Sequence, residues 1–287
     1  MDQIELAQKL DRARPRLRAI AYRIVGSLSE ADDAVQEAWL RLQRTPADEI
    51  DNLEAWLTTV VVRICLNILR SRRSRAEEPL DAFLPEPIVS TEPSADPEHQ
   101  ALLADAVGVA LQVVLDALNP PERIAFVLHD MFGVRFDEIA YLLERSPDAT
   151  RQLASRARRR VRSAAPPPEP DLARQRAVVD AYFAAAREGD LGALVAVLDP
   201  GVVARSHGRS GMFEVHGAEK VARAAMTARR FAPFVRPALI NGAAGAVAFD
   251  GDTPFAILAF TVINDRAAAI DIFNDRELVP HLVQAPS

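Results

Sequence analysis

Apolar positions along the chain fall into two blocks of helical period and one tail of mixed period. In residues 1–75, Ala31, Ala34, Val35, Ala38, Trp39 and Leu42 recur three and four apart, which predicts an amphipathic helix. Ser29, with Asp32 and Asp33 behind it, predicts its start, because acids favour the positive end of the helix dipole. Asn52 predicts the cap of the next helix, with Leu53, Trp56, Leu57, Val60, Ile64 and Leu69 on its core side. A second block, residues 99–163, ends in a short helix, a tight turn and another helix over residues 137–162. Ser146 suits the N-cap there, and Pro147 the first helical position, where its missing N–H is unneeded. Thr150, Leu153, Ala154, Ala157 and Val161 form one apolar face of that last helix. Its other face carries Arg151, Gln152, Ser155, Arg156, Arg158, Arg159 and Arg162.

Between the blocks, residues 76–98 hold Pro79, Pro85, Pro87, Pro93 and Pro97 among acids, a linker that cannot run as a helix. Residues 164–170 hold a second one, Pro166-Pro167-Pro168-Glu169-Pro170. Beyond it the pattern predicts helices near 171–187 and 191–198. Apolar runs then follow at 202–205, 212–215, 235–240, 243–249, 255–262 and 267–273. Asn241-Gly242, Asp250-Gly251-Asp252 and Asn264-Asp265 are turn signals between them. Helices followed by strands predict an α+β domain over 171–287. The fold class is therefore multidomain: two all-α domains, the second with a helix-turn-helix, and an α+β tail.

Composition moves this picture in one respect. The net charge of the 287 residues is −6, so no global basic field draws the chain to nucleic acid. The positive charge is clustered instead. Residues 63–75 hold Arg63, Arg70, Arg72, Arg73 and Arg75 without an acid, and residues 151–162 hold six arginines without one. Such clusters are the footprint of nucleic-acid binding, whereas solvated helix faces are the bland alternative. A helix-turn-helix places its second helix in the major groove. Arg151, Gln152 and Ser155, near the start of that helix, are expected to meet bases, and Arg156 and Arg159 to hold phosphates. Cys65 is the single cysteine, which excludes an internal disulfide and a cysteine zinc site. No metal-ligand spacing, cofactor motif, signal peptide or membrane span is legible. A cytoplasmic protein is expected.

With both blocks in view, the chain resembles an extracytoplasmic-function sigma factor over residues 10–163. Residues Glu30 to Leu42 are similar to the helix that family members dock on the RNA polymerase clamp. The resemblance implies that Asp33, Gln36 and Glu37 face the polymerase. Residues Trp56 to Arg70 look like the helix that opens and reads the −10 promoter element. Arg63, Asn67, Arg70 and Arg73 lie on one side of it, as holding a single strand requires; Trp56 fits the core better than a stacking role. The block from Leu118 resembles region four, which reads the −35 element and meets the polymerase flap. The implied partners are core RNA polymerase and promoter DNA, in a stress-responsive type of transcription.

Phe83-Leu84-Pro85-Glu86-Pro87 resembles the linker motif of sigma factors that carry a C-terminal SnoaL-like domain, a curved sheet wrapped by helices. The resemblance implies regulation in cis, with a small-molecule ligand of the tail as a further option. Two motifs depart from the family. Its Asp-Gly-Gly-Gly is His207-Gly208-Arg209-Ser210-Gly211 here, and its Asn-Pro-Asp-Lys-Leu is Asn274-Asp275-Arg276-Glu277-Leu278. Cones of this type include enzymes with a His or Asp general base, for which His207, His216, Asp250 and Asp271 are the candidates. Asp250 and His216 also fit turns. The main reading is a sigma factor without covalent chemistry of its own. Its rivals are a ligand-sensing regulator that binds duplex DNA alone, and a cone enzyme fused to a DNA-binding module.

Overall fold

A computed structural model describes residues 3–46, 50–75, 86–90, 109–164, 169–208 and 211–283. Phe83, Leu84 and Pro85 of the linker motif lie outside the described residues. The chain divides into two compact units, residues 1–86 with 112–165 and residues 87–111 with 166–287.

The helical unit contains α1 (Gln3–Val25), α2 (Leu28–Leu42), α3 (Leu53–Arg75) and α4 (Val109–Asp116), the last crossing the division between units. It continues with α5 (Pro120–Phe126), a π-helical turn (Val127–Met131), α6 (Phe136–Leu143) and α7 (Pro147–Ala164). The start of α2 lies earlier than the sequence predicts. Gly26, at φ +75°, ends α1 and leaves Ser27 extended. Ser27 Oγ then accepts from Glu30 N at 3.3 Å, so Ser27 and not Ser29 is the cap. Asn52 does cap α3, its Oδ1 accepting from Ala55 N at 3.1 Å.

The buried face of α3 is also turned from the predicted one. Leu57, Val61, Cys65, Leu66 and Leu69 are buried, while Trp56, Val60 and Ile64 are half-buried. Residues 60–66 are apolar except Arg63, so periodicity alone does not select a face there. Burial lifts the Cys65 thiol to about 12, outweighing a backbone hydrogen bond that lowers it. In the helix-turn-helix, Glu144 in the left-handed region (φ 54°) closes α6. Ser146 Oγ then accepts from Ala149 N at 3.2 Å to start α7. Ile139, Leu142, Leu153, Ala154, Ala157 and Val161 are buried.

The sheet unit contains α8 (Leu172–Glu188), α9 (Leu191–Val197), α10 (Ala218–Thr227) and α11 (Leu278–Leu282). Its strands are β1 (Val89–Ser90), β2 (Leu198–Gly208), β3 (Gly211–His216), β4 (Val235–Ile240), β5 (Ala243–Asp250), β6 (Thr253–Ile263) and β7 (Arg266–Phe273). They form one sheet in the order β1-β4-β5-β6-β7-β2-β3, antiparallel except where β2 meets β7. The Asn241-Gly242 and Asn264-Asp265 turns have φ > 0 at both residues. This mirror-image geometry matches the twist of a two-residue hairpin. Toward the helices the sheet packs Val202, Phe260 and Ile270 on Val178, Val179, Tyr182, Phe183 and Leu194. The rings of Tyr182, Phe183 and Phe260 meet edge to face at 5.3–5.9 Å. Gly245 allows a close crossing, since a Cβ there would stand 2.6 Å from Leu258 O.

The strand β1 has no counterpart in the sequence reading. Val89 pairs with Ile240 and Ser90 with Leu239. Ile88 N donates to Asn241 Oδ1 at 2.6 Å, and Asn241 N donates to Ile88 O at 2.8 Å. A proline-rich linker thus contributes an edge strand, a place where missing N–H donors are tolerated.

Candidate nucleic-acid and polymerase interface

Each group of predicted site residues rests on one helix of the helical unit. On α7, Gln152, Ser155 and Arg159 form an exposed stripe at i, i+3 and i+7. Arg151 is also exposed; it pairs with Asp148 and lies 5.8 Å from the Phe136 ring centre. Arg156 is engaged differently. Its Nε donates to Glu122 Oε1 at 2.9 Å, and Arg160 donates to Glu122 Oε2 at 2.9 Å. Glu122 sits in α5 with only 3% of its side chain exposed, so both arginines hold α7 against α5. Arg158 pairs with Asp130 at 2.6 Å. The apparent uniform basic face of α7 therefore separates into tying arginines and an outward stripe.

On α3, Arg63, Asn67 and Arg70 are exposed along one side, while the Arg73 side chain lies outside the described residues. The Arg63 guanidinium stands 5.8 Å from the centre of the Tyr141 ring of α6. The first half of α3 and α6 border a cleft of about 680 Å³, lined by Trp56, Thr59, Arg135, Asp137, Glu138 and Tyr141. Arg72 is no solvated helix end. It donates to Val25 O at 2.6 Å and pairs with Glu30, with 16% of its side chain exposed. On α2, Asp33 and Gln36 are exposed, and Glu37, half-buried, pairs with Arg41 at 2.8 Å. Leu40, 39% exposed, extends their stripe as an apolar member that charge-based reading passed over.

The last turn of α1 gathers polar contacts from distant segments. Gln112 Nε2 donates to Arg23 O at 3.4 Å, and Arg123 donates to Ile24 O at 2.8 Å. Glu86 N donates to Gly26 O at 2.8 Å, and Tyr22 Oη donates to Glu86 O at 2.7 Å. Arg123, buried, also pairs with half-buried Asp116 at 2.5 Å. Burial pushes the Asp116 carboxyl up against the pull of Arg123, and pushes the Arg123 guanidinium down. The Arg123 guanidinium, like that of Arg72 on Val25 O, suits a helix C-terminus, whose carbonyls lack intrahelical partners.

In the sheet unit the candidate bases come together in part. His207 Nε2 lies 3.2 Å from Asp271 Oδ1, both about 1% exposed, and His207 stacks on Phe273 at 4.9 Å. Arg205 reaches Asp271 at 3.4 Å and Glu214 at 3.0 Å, and His216 Nε2 lies 3.1 Å from Glu214 Oε2. Arg205 stands opposite both Glu214 and Asp271 in register, so the five residues form a polar ladder across β7, β2 and β3. Val202, Ile270 and Phe260 point to the helices, so by strand alternation the ladder occupies the other sheet face. Asp250 is apart from it, at the β5–β6 hairpin opposite Thr253. The two departing motifs meet: Asn274 N donates to His207 O at 3.0 Å, and a Cβ at Gly208 would stand 2.5 Å from Asn274 Oδ1. Beside α8, a recess of about 110 Å³ is lined by residues including Arg176, Asp180, Phe183 and Arg187. No described helix is long and apolar enough to cross a membrane.

Exposed polar stripes with arginines on two helices, one of them in a helix-turn-helix, are the pattern of a DNA-binding protein. Comparison with known proteins agrees. Residues 10–75 match sigma-70 region 2, and residues 108–161 match sigma-70 region 4. The chain is 39% identical over 280 residues to the ECF RNA polymerase sigma factor SigJ of Mycobacterium tuberculosis, covering 91% of this chain and 89% of that protein. A probable ECF sigma factor, SigI of the same species, is 38% identical over 208 residues, covering 72% of this chain and 71% of its own. The crystal structure of SigJ superposes with a TM-score of 0.77 at 33% identity, covering 95% of this chain and 97% of that one. The chain belongs to the extracytoplasmic-function sigma factors of RNA polymerase, with a C-terminal sheet domain of the SnoaL-like type. It acts in transcription initiation, with core RNA polymerase and promoter DNA as partners.

Proposed function

We propose that this sigma factor grips its promoter at two points, with residues 1–75 on the −10 element and residues 99–163 on the −35 element. Gln152, Ser155 and Arg151 read bases of the −35 element, and Arg159 holds a phosphate. Arg156 supports this helix through Glu122 as well as through any phosphate contact. Arg63, Asn67, Arg70 and Arg73 hold the opened −10 strand. Asp33, Gln36 and Glu37, with Leu40, meet the polymerase clamp, and region four meets the flap. The protein works in the cytoplasm, where its polymerase is.

The tail controls this activity in cis through the linker, and catalyses nothing. The observation that carries this is the split hold on the linker. Glu86 is bound by the helical unit, and Ile88–Ser90 by β4 and Asn241 of the sheet unit. Asp271, the best-placed candidate base, is occupied by Arg205 and His207. The recess beside α8 is far smaller than the several hundred Å³ of an ordinary ligand site. The test is run-off transcription with core polymerase, comparing the full chain, residues 1–165 and Asn241→Gly. Glycine keeps the left-handed backbone of Asn241 and deletes the Oδ1 that accepts from Ile88 N. A several-fold change in output in both altered proteins is expected. Unchanged output in both rejects control through the linker.

A further inference from the structure

We propose that the sheet unit carries a DNA contact of its own, a cationic belt along α10 and the turn behind it that lies on the phosphates of the promoter duplex. This rests on promoter binding by the chain and is independent of control through the linker. Residues 166–287 hold 12 lysines and arginines against 14 acids, so the tail as a whole carries no positive charge to draw it to nucleic acid. Residues 220–236 nevertheless hold Lys220, Arg223, Arg229, Arg230 and Arg236 without an acid, a third cluster beside those of α3 and α7. Lys220 and Arg223 stand three positions apart on α10 and so share a side of it. A 3-10 turn, Arg229–Phe234, follows and leads into β4.

All five cations are exposed. Other arginines of the sheet unit are tied into the fold. Arg174 pairs with Glu169 and Asp265, Arg205 pairs with Glu214 and Asp271, and Arg176 donates to Gly245 O and Ala238 O. Lys220, Arg223, Arg229 and Arg230 form no ion pair among the described residues, and Arg236 has one, with Asp252 at 3.7 Å. Arg229 alone has a clear structural task. A Cβ at Gly189, which ends α8, would stand 3.1 Å from its Nη1, so it covers that helix terminus. Aromatic rings are set among the cations. Arg230 lies 4.7 Å from the Phe231 ring centre, Phe231 meets Phe255 at 5.1 Å, and Arg276 lies 6.0 Å from the Phe255 ring centre. A guanidinium resting on a ring is held in place and weakly hydrated, which suits it to a phosphate. Phe234, 57% exposed in the same turn, offers an apolar face to a deoxyribose. Duplex DNA is the polyanion already at hand. The helical unit holds the promoter, so even a weak site on the same chain meets DNA at an effective concentration on the order of millimolar.

Holoenzyme binding to a promoter fragment with long flanks, followed by fluorescence anisotropy between about 50 and 200 mM salt, tests this. Lys220→Ala, Arg223→Ala and Arg230→Ala are combined, which leaves the helix-end contact of Arg229 in place. The variant is expected to bind about five-fold or more weakly at the lower salt, with a salt slope reduced by about two to three phosphate contacts. Arg223→Lys with Arg230→Lys keeps the point charges and is expected to bind as the wild type does. Unchanged affinity and slope in the alanine variant overturn the belt and leave the sigma-factor role standing. A loss as large in the lysine variant marks a structural role and overturns it too. Weaker association of the alanine variant with core polymerase alone, by size-exclusion chromatography without DNA, overturns it in favour of an acidic protein surface. Lost binding to phosphatidylglycerol vesicles with promoter binding intact overturns it in favour of a membrane. A photo-crosslinker on Thr227→Cys gives a second measurement on an otherwise wild-type chain, Thr227 being exposed and native Cys65 buried. A DNA adduct in the holoenzyme–promoter complex is expected. No adduct, with run-off transcription retained, overturns the belt even if the alanine variant does not fold.

Discussion

Each of the two units sets a carboxylate beside an arginine, yet the wiring is opposite. In the helical unit, Asp116 holds Arg123, whose Nη1 also donates to the carbonyl of Ile24, 99 positions away. In the sheet unit, Asp271 holds Arg205 and His207, residues that β-register already places beside it. The first network joins helices that, among the described residues, no backbone hydrogen bond connects. The second decorates strands that a ladder already locks. A polar contact of the first kind joins distant segments; one of the second kind secures local order.

The comparison breaks most sharply at Arg123. Arg123→Ala leaves half-buried Asp116 without its ion pair and Ile24 O uncovered, and is expected to cost about 3–5 kcal/mol. Urea unfolding followed by circular dichroism at 222 nm checks this, with the helical unit melting first. Asp271→Asn keeps shape and some hydrogen bonding to Arg205 and His207, and is expected to cost about 1–2 kcal/mol. An equal or larger loss than Arg123→Ala would reverse the contrast. Within α7 the same logic separates two arginines. Arg156→Ala is expected to lower stability by about 1 kcal/mol, since Glu122 keeps Arg160. Arg159→Ala is expected to leave stability unchanged and reduce the salt dependence of holoenzyme binding to promoter DNA by about one phosphate contact.

The smallest effect concerns Cys65. Its folded thiol, at about 12, lies above the unfolded range near 8.5. The stabilisation is therefore complete below about pH 8.5 and is lost as pH rises toward 12. Cys65→Ala is expected to flatten the alkaline arm of a stability–pH profile. Iodoacetamide at pH 8 should label Cys65 in urea and not in the native protein.

These contrasts also explain what the sequence made legible. Caps at Asn52 and Ser146, turns at Asn241-Gly242 and Asn264-Asp265, and the strand runs are local devices, and they stand close to where the pattern puts them. Sigma-factor membership was legible from ordered motifs in both helical blocks. The ties of Arg72 to α1, of Arg156 and Arg160 to Glu122, and of Ile88 to Asn241 were not. Each joins residues more than thirty positions apart, and nothing in helical or strand period distinguishes such an arginine from one that faces DNA. The shift from Ser29 to Ser27 has a smaller cause, the positive φ of Gly26.

The strand β1 has a consequence for how the tail can exist apart from its chain. It covers the outer edge of β4, at the end of the sheet opposite β3. A fragment beginning at residue 166 would present that edge bare, with Leu239 and Ile240 offering unpaired backbone to any passing strand. Such a fragment would tend to polymerise or to borrow the linker of a neighbour. One beginning at Pro87 would carry its own edge cover. The linker is in this sense a donor strand, and a short peptide spanning Glu86–Ser90 would be expected to keep the truncated tail monomeric.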